Sequence, residues 1–152
     1  MKRTIAGLAL AVSLPIAQVA FPAGAVARPA HTVHSPGARI IAMGARYRGV
    51  PFVWGGNHPR TGFDCSGFTK YVFARLHVRI PRTAAAQFRA AHHTRHPKPG
   101  DLFFVHDASG HVYHVGIYVN RHTWLEAEHP GKGVGFYRPW TRHVWYGFFH
   151  VK

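Results

Sequence analysis

Two stretches decide how this chain is read: Phe63-Asp64-Cys65-Ser66-Gly67-Phe68 and, 49 residues on from the cysteine, His114-Val115-Gly116-Ile117-Tyr118. Cys65 is the only cysteine among 152 residues, so it has no internal disulfide partner and its thiol needs another explanation. Asp64 has the side chain of a helix N-cap. Cys65, Phe68, Val72 and Leu76 recur on one stripe of a helix predicted over about residues 66–77. A thiol at that point lies among unpaired backbone N–H groups and the positive end of the helix, which favour a thiolate. The second stretch alternates apolar and polar residues, as a strand does, and offers an imidazole.

The surrounding sequence predicts an α+β domain. Ser35 caps and Pro36 opens a first helix that continues through Ala38 to Tyr47, and Thr83 caps a third over Ala84 to Ala91. Gly55-Gly56-Asn57-His58-Pro59 reads as a loop, and residues 92–99 read as a basic loop. Strands are predicted at residues 102–106, 111–119, 123–128, 133–138 and 144–151. Helices followed by consecutive strands give an antiparallel sheet of about five strands.

The hairpin between the second and third strands places the imidazole. With its turn centred on Asn120, His114 lies opposite Glu126, on a face shared with Gly116, Tyr118 and Trp124. Val115, Ile117, Val119, Leu125 and Ala127 form the other, apolar face. Glu126 is then the group that orients the ring. Glu128 lies on the same side and becomes the opposed residue if the turn is longer, whereas His129 reaches the site only through a kink at the strand end. A thiolate, an imidazole and a third polar group are the parts needed for acyl transfer through a covalent intermediate.

Composition bounds the partners. The chain carries 19 Lys and Arg against five Asp and Glu, a formal charge of +14. Such a field draws polyanions. Lys2 and Arg3, an apolar run from Ile5 to Phe21 and the small-residue site Ala25-Val26-Ala27 read as a signal peptide over residues 1–27, cleaved before Arg28. Residues 28–35 read as a flexible leader and 36–152 as one domain. Without Lys2 and Arg3 the mature charge is +12. For a secreted monomer of this charge, anionic wall polymers are the expected polyanion rather than nucleic acid. His92, His93 and His96 lack a nearby carboxylate or thiol and carry Arg95 and Lys98 beside them, so they read as a basic loop, with no metal site. Trp54, Trp124, Trp140 and Trp145 read as packing residues.

Five stretches in order resemble the NlpC/P60 cell-wall peptidases, a papain-like clan of cysteine hydrolases. They are Gly49 to Gly56, Phe63 to Phe68, Ile80-Pro81-Arg82-Thr83-Ala84-Ala85-Ala86-Gln87, Pro99-Gly100-Asp101-Leu102 and His114 to Tyr118. The resemblance implies a secreted, envelope-located endopeptidase that needs no cofactor. Its substrate would be peptidoglycan stem peptides, typically at the D-γ-glutamyl-diaminopimelate bond. It places the nucleophile on Cys65, the base on His114 and the third polar group on Glu126. It also places Asp64 and Ser66 along the substrate cleft and Phe52 near it; Trp54 and Arg82 are further substrate-binding candidates. Asp64 is equally a helix cap, and for Arg82 a structural ion pair is a commoner fate than bidentate binding of a stem carboxylate. Relatives usually carry tyrosine where this chain has Phe52. An amidase or transpeptidase using the same thiol, and a non-catalytic wall-binding module, are the alternatives.

Overall fold

The computed structural model describes residues 35–151; the expected signal peptide and nearly all of the expected leader lie outside them. Each helix starts where a capping side chain accepts a backbone N–H. Ser35 accepts from Ala38 at the start of α1 (Pro36–Ala45), Asp64 from Gly67 at α2 (Cys65–Arg75), and Thr83 from Ala86 at α3 (Ala84–Ala90). None of the described helices is long and apolar enough to cross a membrane.

Between α1 and α2, β1 (Asn57–His58), within the stretch read as loop, and β2 (Gly62–Phe63), just beyond it, form a small hairpin. The main sheet holds β3 (His92–Thr94), β4 (Leu102–His106), β5 (Val112–Asn120), β6 (Thr123–Ala127), β7 (Val134–Tyr137) and β8 (Val144–Phe148). Its order is β3-β8-β4-β5-β6-β7, every neighbouring pair antiparallel. The sixth strand, β3, corrects the reading of residues 92–99 as loop throughout. His92, His93 and Thr94 pair with Phe148, Gly147 and Tyr146, and the Phe88 ring stacks on His93. Polar composition hid a short edge strand whose hydrogen bonds come from the chain's far end.

The main core lies between the helices and one sheet face. Phe68, Val72 and Phe73 of α2 are buried with Val115, Ile117, Leu125 and Ala127 of β5 and β6. Burying such side chains is worth about 1.5–3 kcal/mol each, an upper figure for a chain compact before folding. A smaller cluster on the other face joins Phe103, Val105 and Trp124. The packing reading therefore holds for Trp124 and for Trp145, whose partly exposed ring stacks on His106 and Phe88, and fails for Trp54, which is 78% exposed, and for the exposed Trp140. The rings of Trp54, Trp140 and Trp145 line surface grooves.

Candidate active site

Asp64 organises the start of α2. Its Oδ1 accepts from the Gly67 N–H at 2.6 Å and from Ser66 Oγ at 3.2 Å, and its Oδ2 accepts from the Gly55 N–H at 3.1 Å. Arg82 grips both oxygens, Nη2 on Oδ2 at 2.6 Å and Nη1 on Oδ1 at 3.0 Å, and reaches Ser66 Oγ and the Gly56 carbonyl. The Asp64 carboxylate is thus committed to a planar fork and to the helix cap, and the Arg82 fork to that carboxylate. Arg82 is held above its ordinary range chiefly by the hydrogen bond to Asp64, with attraction from Cys65 also contributing. Gln87, completely buried, ties α3 to this corner by donating to the carbonyls of Ser66 and Pro81 and accepting from Thr69. Gly67 is required by contact: a Cβ there would sit 2.0 Å from the Gly56 carbonyl oxygen.

Cys65 follows as the first residue of α2, 8% exposed. The cap and the Asp64 carbonyl take the N–H groups of Gly67 and Phe68. The N–H groups of Cys65 and Ser66 have no acceptor one turn back, as at any helix start.

The imidazole comes from β5, aimed by a bulge. Val105 pairs with His114 but His106 pairs with Val112, so Tyr113 is an extra residue. Val112 and Val115 therefore both join the helix-side core, while Tyr113 is half-exposed in the cleft beside His114. Bulges recur next to sites because they re-aim a side chain in this way.

The β5–β6 register differs from the sequence expectation. A second bulge at Val119 and a turn at Arg121-His122 set Ile117 against Leu125 and Tyr118 against Trp124. Glu126 consequently faces Gly116, and the pairing of His114 with Glu126 is diagonal rather than direct. A two-residue slip preserves side-chain parity, so the carboxylate stays on the imidazole's face. His114 Nε2 donates to Glu126 Oε2 at 2.5 Å, which leaves Nδ1 for Cys65. Gly116 creates the room, since a Cβ there would lie 2.8 Å from the Glu126 Cβ and 2.5 Å from the Phe103 ring. Glu128 instead pairs with Lys132, 3.0 Å away, and His129 Nδ1 donates to the Pro130 carbonyl.

Burial pushes the His114 pKa down. Hydrogen bonds to Cys65 and Glu126, and the negative charges of both, outweigh it and hold the imidazolium up to about 9. The ring therefore carries its proton at neutral pH.

Cys65 and His114 line a cleft of about 460 Å³ with Phe52, Trp54, Tyr113 and Trp140. Phe52 presents no hydroxyl, and its ring meets Trp54 edge-on at 5.0 Å. Trp140 stands edge-on to His114 at 5.8 Å. Sequence reasoning missed Tyr113, whose direction depends on the bulge, and Trp140, which arrives from a loop 26 residues past the histidine. Exposure of a large aromatic ring was their only signal, and exposure is not written in sequence. Among the described residues no cluster of three or more His, Cys, Asp or Glu has metal-binding geometry.

Helices packed on one face of an antiparallel sheet, with a cysteine opening a helix beside a strand histidine, form an α+β architecture known from peptidoglycan hydrolases. The crystal structure of the NlpC/p60 domain of the peptidoglycan hydrolase SagA superposes with a TM-score of 0.67 at 33% identity, covering 76% of this chain and all of that one. The NlpC/P60 family model matches residues 49–151, and the chain belongs to that family. Curated relatives include "Probable endopeptidase p60" of Listeria innocua, 47% identical over 90 residues, covering 57% of this chain and 18% of the relative. "Bifunctional muramidase/DL-endopeptidase CwlT" of Bacillus subtilis is 44% identical over 78 residues, 49% of this chain and 24% of the relative. "Murein DD-endopeptidase MepH" of Escherichia coli is 38% identical over 96 residues, 57% of this chain and 34% of the relative. The chain thus matches about a fifth to a third of these relatives' length.

Proposed function

We propose that this domain is a secreted, thiol-dependent peptidoglycan endopeptidase. The observation that carries the proposal is His114, held between Cys65 and a completely buried Glu126 beside an open cleft.

The Cys65 thiolate attacks the scissile carbonyl carbon, and the resulting oxyanion is met by the N–H of Cys65 at the helix start. His114 gives its proton to the departing amine as the C–N bond breaks, leaving a thioester. Water, deprotonated by His114, attacks that thioester and releases a carboxylic acid and the thiolate. Glu126 fixes the ring's orientation and stabilises its charged form. Asp64, Ser66 and Arg82 act by holding the nucleophile's helix start. Phe52 and Trp54 line the substrate's path.

Among the relatives, one is named for DL and another for DD cleavage, so the assignment to the D-γ-glutamyl-diaminopimelate bond rests on the motifs alone. The test is incubation of the purified chain with defined muropeptides, read by mass spectrometry beside a Cys65→Ala variant. Hydrolysis products that need Cys65 are expected. Products joined to an added amine would indicate a transpeptidase. Cleavage surviving Cys65→Ala refutes the mechanism, and retention on sacculi without any cleavage indicates a binding module.

A further inference from the structure

All five carboxylates of the chain are committed. Asp64 holds Arg82, Glu126 holds His114 and Glu128 holds Lys132; Asp101 accepts from the Lys98 N–H, and Asp107 from the turn that follows it. Arg121, Arg138 and Arg142 are among the exposed arginines with no carboxylate partner in the described residues. Arg121 Nε donates to Nε2 of the neighbouring His122 ring, at 2.8 Å.

These arginines are not scattered. Arg121 and Arg142 line a groove of about 460 Å³ walled by Tyr118, Trp140 and Tyr146, and Arg121 and Arg138 line an adjoining one of about 760 Å³. The two share Arg121 and Pro139. Trp140, in turn, is a wall of both the first groove and the cleft that holds Cys65. One short segment between β7 and β8 therefore carries Arg138 and Arg142 together with the ring that stands edge-on to His114. Taken together, the two adjoining grooves form a basic, aromatic-walled channel that shares its Trp140 wall with the cleft holding Cys65.

We infer that this channel is an extended subsite for the free carboxylates of a stem peptide, beyond the bond cleaved, so that the domain prefers free-acid stems over amidated ones. This rests on the peptidase reading, because it takes the occupant to be continuous with a peptide in the cleft. An extended peptide advances about 3.3 Å per residue, so a stem of several residues crosses from one cavity into the next. Its carboxylates then meet guanidinium forks, the donor geometry that carboxylates accept bidentately. Its aliphatic parts meet Tyr118 and Tyr146. The grooves are open and screened by solvent, so the preference weakens with salt.

The test uses the full chain with Cys65→Ala, which prevents turnover, and two muropeptides identical except that one has its stem carboxylates amidated. Binding is measured by calorimetry in low and high salt. A preference of about 10- to 100-fold for the free acid is expected from charge-assisted hydrogen bonds. It should fall toward unity in Arg138→Gln/Arg142→Gln, with the affinity for the amidated ligand and the melting temperature unchanged. Equal binding of the two muropeptides overturns the inference, as does a preference that survives the double substitution. Binding to phosphate-bearing walls that is lost once phosphopolymer is stripped, without muropeptide preference, reassigns the channel to wall polymers. Failure of the wild-type chain to hydrolyse stems alongside intact carboxylate preference removes the peptidase reading and leaves the subsite standing.

Discussion

Replacing Glu126 with Gln isolates what the buried carboxylate does for the imidazole. It is nearly isosteric, removes one negative charge at hydrogen-bond distance from Nε2, and leaves the Cys65 side of the ring untouched. The rise of the His114 pKa from 6.5 to about 9 corresponds to ~3 kcal/mol of preference for the charged ring, at about 1.4 kcal/mol per tenfold. That figure is net of burial, which opposes it, and Cys65 and Glu126 together supply the raising part. A neighbouring charge at this range typically moves a pKa by about 1–3, so Glu126→Gln should lower the His114 midpoint by at least about one pH unit. The assay is an NMR titration of ¹⁵N-labelled histidine, with the His114 resonance assigned from its loss in His114→Ala. Linkage supplies an independent readout. Because the folded-state pKa is raised, the pair's stabilisation is complete below pH 6.5 and lost as pH rises through about 9. Wild-type melting temperature should fall across that window, and the variant's should fall less. Activity should drop by about 10²–10⁴, the scale of losing the charge that sets an imidazole's tautomer. An unmoved His114 titration in Glu126→Gln would refute the reasoning, whatever happened to turnover.

Three further outcomes follow from specific contacts. Gly116→Ala must displace either the Phe103 ring or Glu126, with destabilisation of about 1–3 kcal/mol by thermal melting and a larger proportional loss of activity than of stability; wild-type turnover in this variant would contradict the space argument. Arg82→Lys keeps the charge but loses the planar fork on Asp64, and chemical denaturation should register a loss of about 1–3 kcal/mol from the broken network. Phe52→Tyr fits an existing cleft wall and adds a donor, so kcat for a stem peptide should rise about tenfold or more, with stability within about 0.5 kcal/mol of wild type; unchanged kcat would separate that hydroxyl from the chemistry.

Local signals reached far into this fold. Ser35, Asp64 and Thr83 each cap the helix that their chemistry announces, because an N-cap is settled by one side chain and the next turn. The faces of β5 and β6 were likewise legible from alternation. What escaped was whatever depends on distant pairing. The edge strand β3 exists only because β8 returns to it, and its polar sequence carries no periodic signature. The bulges at Tyr113 and Val119 leave alternation almost intact while changing register and aim, so the diagonal geometry of His114 and Glu126 could not be read from spacing. The exposed Trp54 and Trp140 show the same limit from the other side. A large apolar ring reads as core until the surrounding surface is known.

The candidate site is assembled from two halves, each made rigid by its own charge pair. On the helix half, Arg82 and Asp64 fix the start of α2 and hence the direction of the Cys65 thiol. On the sheet half, Glu126 fixes the His114 ring. No described ion pair links one half to the other; the connection is the packing of Phe68 and Val72 against Val115 and Ile117, with the thiol–imidazole contact at its edge. Alignment of the Cys65 thiol with the His114 imidazole therefore depends on apolar close packing, where a missing methylene is felt as a shift as well as a loss of stability. Arginine and carboxylate set the rotamers, and the core sets the distance between them. This division explains why so basic a chain spends two of its five acids at one corner: each is placed where orientation, rather than bulk stability, is the quantity to be controlled.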